Sequence, residues 1–253
     1  MTTPENPFAA AAIGEVYRRG RPYHHARSLA RVRAIVGDAP VVCALDVACG
    51  TGMSSGALAE CAAYVAAVDV SPEMMRAAPA RHGVAYALGR AKALPFAADC
   101  FDAVTCSSGI HWFDQPRFFA ELHRVMRPGG WVGLYDHYFL GMREVAAFTD
   151  WARELFARYP LPPRNPQVGD PRSQVPEGFR LVGEDMFEDP IEMTREAFAD
   201  YQLTVSHCVA AVERGTPRAE IHAWLLDSLG PLFDGSTRTV EFVGSITCLR
   251  RIP

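Results

Sequence analysis

Residues 45–52 read Leu-Asp-Val-Ala-Cys-Gly-Thr-Gly. The apolar run Val41–Val47 leads into this turn as a buried strand would, and a helix opens near Met53. Strand, glycine turn and helix together build a ligand crevice at the carboxyl edge of a parallel sheet. Glycine lets the backbone approach a ligand with no Cβ in the way. A second apolar strand, residues 64–70, carries Asp69 nineteen positions after Gly50. An acid at that spacing in a βαβ unit accepts hydrogen bonds from ribose hydroxyls. The run from Gly50 continues Gly-Thr-Gly-Met-Ser-Ser, so Ser55 stands where a dinucleotide fingerprint needs its third glycine. No Gly-Lys-Ser/Thr follows, which excludes the usual phosphate loop. A nucleoside cofactor without phosphates fits better.

Outward from this unit the chain alternates. A helix is expected over 24–36, where Leu29, Val32 and Ile35–Val36 recur at helical spacing, and Gly37-Asp38 ends it. Then come strand 41–47, helix 53–63, strand 64–70, helix 72–80, strands 84–88 and 101–106, helix 115–126 and strand 131–135. Arg127-Pro128-Gly129-Gly130 reads as a turn. The alternation predicts a parallel sheet with helices on both faces. Farther on, residues 144–159 read as an amphipathic helix and 160–176 as an irregular segment with six prolines. Residues 179–188 read as a strand, 195–214 as one helix and 217–229 as another with proline at its first turn. Residues 240–249 alternate as an edge or antiparallel strand does. Residues 1–12 read as mobile.

The 253 residues are 49% apolar, enough for a sizeable core in an α/β domain. The net charge is −4 and there is no basic tract, which argues against a nucleic-acid surface and toward a small-molecule ligand. No apolar run is long enough for a membrane span, and the first dozen residues lack the pattern of a signal peptide. Seven cysteines without CxxC spacing point to reduced, buried thiols in a cytoplasmic protein and to no metal site. Oligomeric state is not legible.

Five stretches occur in a familiar order and spacing: LDVACGTG at 45–52, VDVSPEMM at 68–75, GRAKALPF at 89–96, FDAVTCSSGIHWFD at 101–114 and VMRPGGWVGLY at 125–135. Together they resemble the class I S-adenosylmethionine-dependent methyltransferases, and within them the type 11 group that includes the trans-aconitate methyltransferases. The resemblance covers about residues 13–140. It implies a Rossmann-like α/β fold: a seven-stranded, mostly parallel sheet with helices on both faces and an antiparallel last strand. The whole chain, 1–253, is then expected to be one S-adenosylmethionine-binding domain. Residues 1–36 would close over the cofactor, and 140–230 would partly cover the acceptor site with helices and loops.

The resemblance also implies a cofactor site. The loop Asp46, Ala48, Gly50, Thr51 and Gly52 would take the methionine part and ribose, with Asp69 on the ribose hydroxyls. Val70 and Met74 would flank the adenine, although Met74 reads equally well as helix core. Ala91-Lys92-Ala93 would lie along the adenine edge, and Lys92 departs from the acidic residue common there in the family. Ser107 and Ser108 would face the sulfonium and leave room for the methyl group. Arg21 would hold the methionine carboxylate, a match for a guanidinium fork, with Tyr17 and Tyr23 as aromatic walls, Tyr23 toward the acceptor. A solvated basic turn is the other reading of that segment.

Methyl transfer from a sulfonium needs alignment, exclusion of water and, for some acceptors, removal of a proton. His111, in the His-Trp-Phe-Asp run after the fourth strand, is a candidate base, with Trp112 as a pocket wall. His111 would otherwise cap the turn. Asp136-His137-Tyr138, after the fifth strand, forms a second acid/base cluster, with His137 and Tyr138 as its candidates for the acceptor. His207 on the 195–214 helix is a candidate for acceptor binding, and His24 and His25 fit either a structural or a functional role. Two other functions use the same motifs: a non-methylating reaction that releases methylthioadenosine by cyclisation or lysis, and a non-catalytic cofactor-binding subunit.

Overall fold

The computed structural model describes residues 8, 13–143, 145–162, 175–233, 235 and 237–253. Among them, five strands run parallel: β1 (Val41–Val47), β2 (Ala62–Asp69), β3 (Val84–Leu88), β4 (Phe101–Ser107) and β5 (Met126–Met142). β6 (Phe179–Met193) lies at one edge, and β7 (Arg238–Arg251) runs antiparallel between β5 and β6. The sheet order is β3-β2-β1-β4-β5-β7-β6. From β1 the chain first winds toward β3 and then returns to β4. The carboxyl ends of β1 and β4 therefore form the switch point, where an open α/β sheet has its crevice.

Burial of both sheet faces explains the near-continuous apolar strands. Leu45, Val47, Val104 and Cys106 pack on Phe118 and Leu122 of α5 (Gln115–Val125). The alternate residues Ala44 and Ala103 point to the other face, against Leu29 and Val32 of α2 (His25–Val36) and the end of α3 (Met53–Leu58). Short helix α4 (Pro72–Arg76) starts at Ser71, whose hydroxyl accepts the Met74 N–H, and α5 starts at Asp114, which accepts the Arg117 N–H.

The long strands carry a third core. β5 pairs with β4 only through Tyr135, then runs on beside β7 to Met142. On its far end, with Val240 and Phe242 of β7, sit α6 (Phe148–Arg158), α7 (Arg195–Gln202), α8 (Ser206–Glu213) and α9 (Arg218–Leu229). Trp151, Leu155, Phe198, Tyr201, Ile221 and Leu225 fill this core. The helical cover is thus built on extended strands rather than hung on loops. Helix α1 (Gly14–Gly20) packs on α4 and α7; a Cβ at Gly20 would lie 2.5 Å from the Asp200 carbonyl oxygen, so this approach needs glycine.

Several elements differ from the sequence reading. The helix expected over 53–63 ends at Leu58, and β2 begins two residues earlier than expected, at Ala62. The helix over 72–80 stops at Arg76, because Pro79 disfavours helical backbone before it. The strand expected at 131–135 spans Met126–Met142; Arg127–Gly130 survives as an outward bulge between the pairs Phe101–Met126 and Ala103–Trp131. The 144–159 helix begins at Phe148. The strand over 179–188 extends to Met193 and passes Pro190, which an edge strand tolerates. The single helix over 195–214 is two, broken at Leu203–Val205, where Thr204 bonds its hydroxyl to the Tyr201 carbonyl. The strand at 240–249 is antiparallel but interior. Most of the proline-rich 160–176 segment and of residues 1–12 lies outside the described residues. All seven cysteines are unpaired, no described histidine, cysteine or acid cluster has a metal-binding arrangement, and no described helix is long and apolar enough to cross a membrane.

Candidate active site

At the switch point the backbone itself makes the crevice. Ala48 follows β1 with φ 60° and Ser108 follows β4 with φ 51°, a conformation uncommon outside glycine. Two adjacent strands thus end in the same left-handed bend. Gly52 caps α3 with φ 73°, and a Cβ there would lie 2.3 Å from the Tyr86 hydroxyl. Gly52→Ala is expected to lower stability by about 1–3 kcal/mol through the left-handed backbone and this clash. Urea midpoints test this, and adding Tyr86→Phe should recover part of the loss; an unchanged midpoint for the single variant refutes it.

Asp46 lies beneath the crevice, fully buried. Its carboxylate accepts the hydroxyls of Ser54 and Ser55 at 2.6 Å each and of Thr105 at 3.0 Å, tying the start of α3 to β4. Burial pushes its pKa up to about 6 against those three hydrogen bonds. Asp69 ends β2. One oxygen accepts the Gly50 N–H and the other the Ser71 N–H, both at 2.8 Å. Each oxygen keeps a further lone pair for a vicinal diol. Burial raises the Asp69 pKa, opposed by these backbone donors. The Ser108 hydroxyl donates to Asp136 at 2.5 Å, and the same Asp136 oxygen accepts the His137 N–H.

A cavity of about 620 Å³ runs from this crevice under the helical cover. Its lining brings together Tyr17, Arg21, Ala48, Gly50, Thr51, Asp69, Met74, Ser107, Ser108, His111, Trp112, His137, Tyr138 and His207 of the sequence candidates. Asp46 and Gly52 support it from behind. Val70, Tyr23 and Ala91-Lys92-Ala93 do not line it. Val70 and Tyr23 are exposed. The loop after Ala93 is held to α5 instead, by Leu94 N–H on Glu121 and by Arg124 on the Leu94 and Phe96 carbonyls.

Arg21 sits between the rings of Tyr17 and Tyr201, 4.9 and 5.3 Å from their centroids. Its Nη2 donates to the Thr204 carbonyl at 2.9 Å, a group made available by the break between α7 and α8. Its Nε is buried without a partner. A cation with an unused buried donor is suited to an anionic ligand.

The same cavity carries a column of rings. His137 stacks on His24 at 4.2 Å and on Phe242 at 4.9 Å, and His24 lies 4.2 Å from His25. His137 Nε2 is 2.9 Å from an Asp189 carboxylate oxygen. A carboxylate only accepts, so the ring proton is on Nε2 and Nδ1 holds the lone pair. Arg27 pairs with the other Asp189 oxygen. Burial lowers the His137 pKa, and Asp189 only partly offsets it. Burial first, then the neighbouring histidines and Arg21, lower His24 strongly and His25 to about 4. These rings are neutral at neutral pH.

Asp189, Tyr201, Trp151 and the paired role of His24 escaped the sequence reading; Asp136, read there as part of an acid/base cluster, is held by Ser108 and the His137 amide. Asp189 is fifty-two residues from His137 and meets it only through β-pairing across β7. The Phe148, Trp151, Leu155 and Phe156 stripe signalled an apolar helix face, with no sign that part of it bounds a cavity.

Comparison with known proteins adds to this geometry. Residues 45–134 match the family model described as a methyltransferase domain, of type 11. An uncharacterized methyltransferase of Mycobacterium tuberculosis is 30% identical over 211 residues, covering 79% of this chain and 77% of that protein. A malonyl-[acyl-carrier protein] O-methyltransferase of Herminiimonas arsenicoxydans is 40% identical over 103 residues, which are 40% of this chain and 39% of that protein. The solved structure of an Anaeromyxobacter dehalogenans protein provisionally named a type II methyltransferase superposes with a TM-score of 0.68. It has 28% identity and covers 88% of this chain and 96% of that one.

Proposed function

The chain belongs to the type 11 methyltransferase-domain family of class I S-adenosylmethionine-dependent enzymes, and on that premise we propose that it methylates a small molecule enclosed beneath the α6–α8 cover. The observation that carries this reading is the continuity of one cavity from the Gly50–Asp69 crevice to the aromatic interior of the cover. An enclosed chamber suits a small acceptor better than a macromolecular surface.

The residues present fit the cofactor. Asp69 has lone pairs left for the ribose diol, Gly50 and Thr51 leave backbone approach, and the unpartnered Nε of Arg21 suits the methionine carboxylate. Met74 lines the same cavity and would offer the cofactor an apolar contact. When bound, S-adenosylmethionine supplies a methyl group already activated by its sulfonium. The protein's own work is then to orient the acceptor, exclude water and take a proton. Ser107 and Ser108 line the cavity at the end of β4, and the cover would shield the site from water. His137 takes the proton on Nδ1 while Asp189 holds Nε2–H and stabilises the charge that forms. His111 and Trp112 form the wall where the crevice meets the N-terminal segment; Trp112 lies 6.2 Å from the Phe8 ring.

His137→Gln is expected to lower kcat/KM by about 100-fold, with S-adenosylhomocysteine affinity retained. The acid limb of the wild-type pH profile should fall below the ordinary histidine range and disappear in the variant. An unchanged profile would assign the proton to another group.

Incubation with S-adenosylmethionine, with and without a small-metabolite extract, tests the reading by mass spectrometry. S-adenosylhomocysteine formed only with extract, beside a product one methylene heavier, supports it. Methylthioadenosine formed without extract overturns it in favour of cofactor cyclisation or lysis.

A further inference from the structure

His207 is 3% exposed, lines the cavity from α8, and has an Nε2 without a hydrogen-bond partner. Its ring meets Phe156 edge-on at 5.3 Å. Burial, aided by Arg21, lowers its pKa to about 4, so the ring is neutral at working pH. A buried nitrogen left unpaired carries a desolvation penalty that is recovered when a ligand supplies the partner.

The surroundings restrict that ligand. Phe139, Phe148, Trp151 and Tyr201 present rings to the chamber. The carboxylates among the described lining residues are Asp69 and Asp136. Asp69 belongs to the cofactor end, and Asp136 is engaged by Ser108 and the His137 amide. Both donors fall on one Asp136 oxygen and leave its charge in place, but that charge already faces Arg21, so an ammonium in the chamber would have to compete with the guanidinium for it, at high desolvation cost. The cation in this lining is Arg21, assigned above to the cofactor carboxylate. A multiply charged aliphatic acid has no cation left to meet it.

We propose that the acceptor is an uncharged, flat aromatic molecule with two polar ends: a hydroxyl that is methylated, and a carbonyl or second hydroxyl that pairs with His207 Nε2. This rests on the methyltransferase reading. In the reaction the hydroxyl oxygen forms the new O–C bond, the S–C bond breaks with its electron pair passing to sulfur, and the hydroxyl proton goes to His137. The aromatic body lies against the rings of the cover, and His207 sets which end faces the sulfonium.

Calorimetry with the full chain separates this proposal from its premise. S-adenosylhomocysteine is titrated first; if it does not bind, the methyltransferase reading falls and takes the proposal with it. Into the complex are then titrated 6-hydroxy-1-tetralone and 5,6,7,8-tetrahydro-2-naphthol, which differ by the distal carbonyl, and tyramine and succinate. The tetralone should bind about tenfold tighter than the naphthol, and tighter than the amine or the diacid. His207→Leu should erase the tenfold difference while S-adenosylhomocysteine affinity is kept. His207→Gln, which retains a hydrogen-bonding group, should preserve part of it and serves where the leucine variant does not fold. Equal affinity for the two aromatic probes in the wild type, no aromatic binding at all, or tighter binding of tyramine or succinate overturns the proposal.

Discussion

Acidification from pH 7 to pH 4 is expected to reduce the unfolding free energy by roughly 5 kcal/mol. The cause is four histidines held neutral by burial: His24, His25, His137 and His207 all have lowered pKa values, with His25 and His207 at about 4. In the unfolded chain each titrates near the ordinary value of about 6.5. Between the two values the unfolded state binds more protons than the folded one, so stability falls as pH falls through that window. A full shift in one buried ring corresponds to about 3 kcal/mol. Asp46 works the other way: with its pKa raised to about 6 it takes up a proton in the folded protein before it does in the unfolded chain, which offsets about 2–3 kcal/mol and, with Asp69 raised in the same direction, keeps the sum well below four times that figure. Asp189, on the His137 ring, and Asp136, on its amide, oppose only part of the burial effect on His137. Urea unfolding at pH 7, 5.5 and 4 measures the slope. His25→Gln removes one titrating ring and should flatten the curve between pH 6.5 and 4. A pH-independent midpoint over that range would mean that these rings are hydrated or charged in the folded protein.

The same column links stability to the proposed chemistry. A base that works at neutral pH must be unprotonated there, and burial among rings achieves this for His137. The position is therefore expected to resist substitution on two grounds, catalytic and structural. The pH profile of the reaction separates them from each other, because folding alone does not produce an acid limb at the pKa of His137.

What could be read from the chain follows the range of the interactions. The β1 turn, Asp69 and the alternation of elements are local patterns, and the crevice is where they put it. Strand ends were harder. β5 runs seven residues beyond Tyr135, because β7 continues to pair with it there, and no local pattern in 136–142 reveals a partner a hundred residues away. The break between α7 and α8 rests on Thr204 and Val205, β-branched residues that many helices accommodate. It matters because it leaves the Thr204 carbonyl to orient Arg21. The side-chain candidates divide in the same way. His137 could be picked out by its place just beyond the strand predicted over 131–135, although it lies within β5; Asp189, which sets its tautomer, could not. Ala91–Ala93 were carried over from a family resemblance, and their loop is tied to α5 rather than to the cavity.

Asp69→Ala is expected to weaken S-adenosylhomocysteine binding by about 10²–10³-fold. Two effects combine. The carboxylate would lose two charge-assisted hydrogen bonds to the ribose diol, each of about 1.5–3 kcal/mol. It would also release the Gly50 and Ser71 amides, both held at 2.8 Å, and so loosen the turn that must meet the ligand. Part of the first loss is returned as the diol finds water, which keeps the total near 3–4 kcal/mol. Asp69→Asn separates the two contributions, since the amide retains one acceptor for Gly50 but cannot accept at both positions; its affinity should fall between wild type and alanine. Calorimetry with S-adenosylhomocysteine and its 2′,3′-dideoxy analogue completes a thermodynamic cycle. Wild type should discriminate strongly between the two ligands and Asp69→Ala hardly at all. If the alanine variant bound S-adenosylhomocysteine within threefold of wild type, the ribose would lie elsewhere. If it lost affinity while still discriminating, Asp69 would act on the turn alone, and the diol would be read by another group in the cavity.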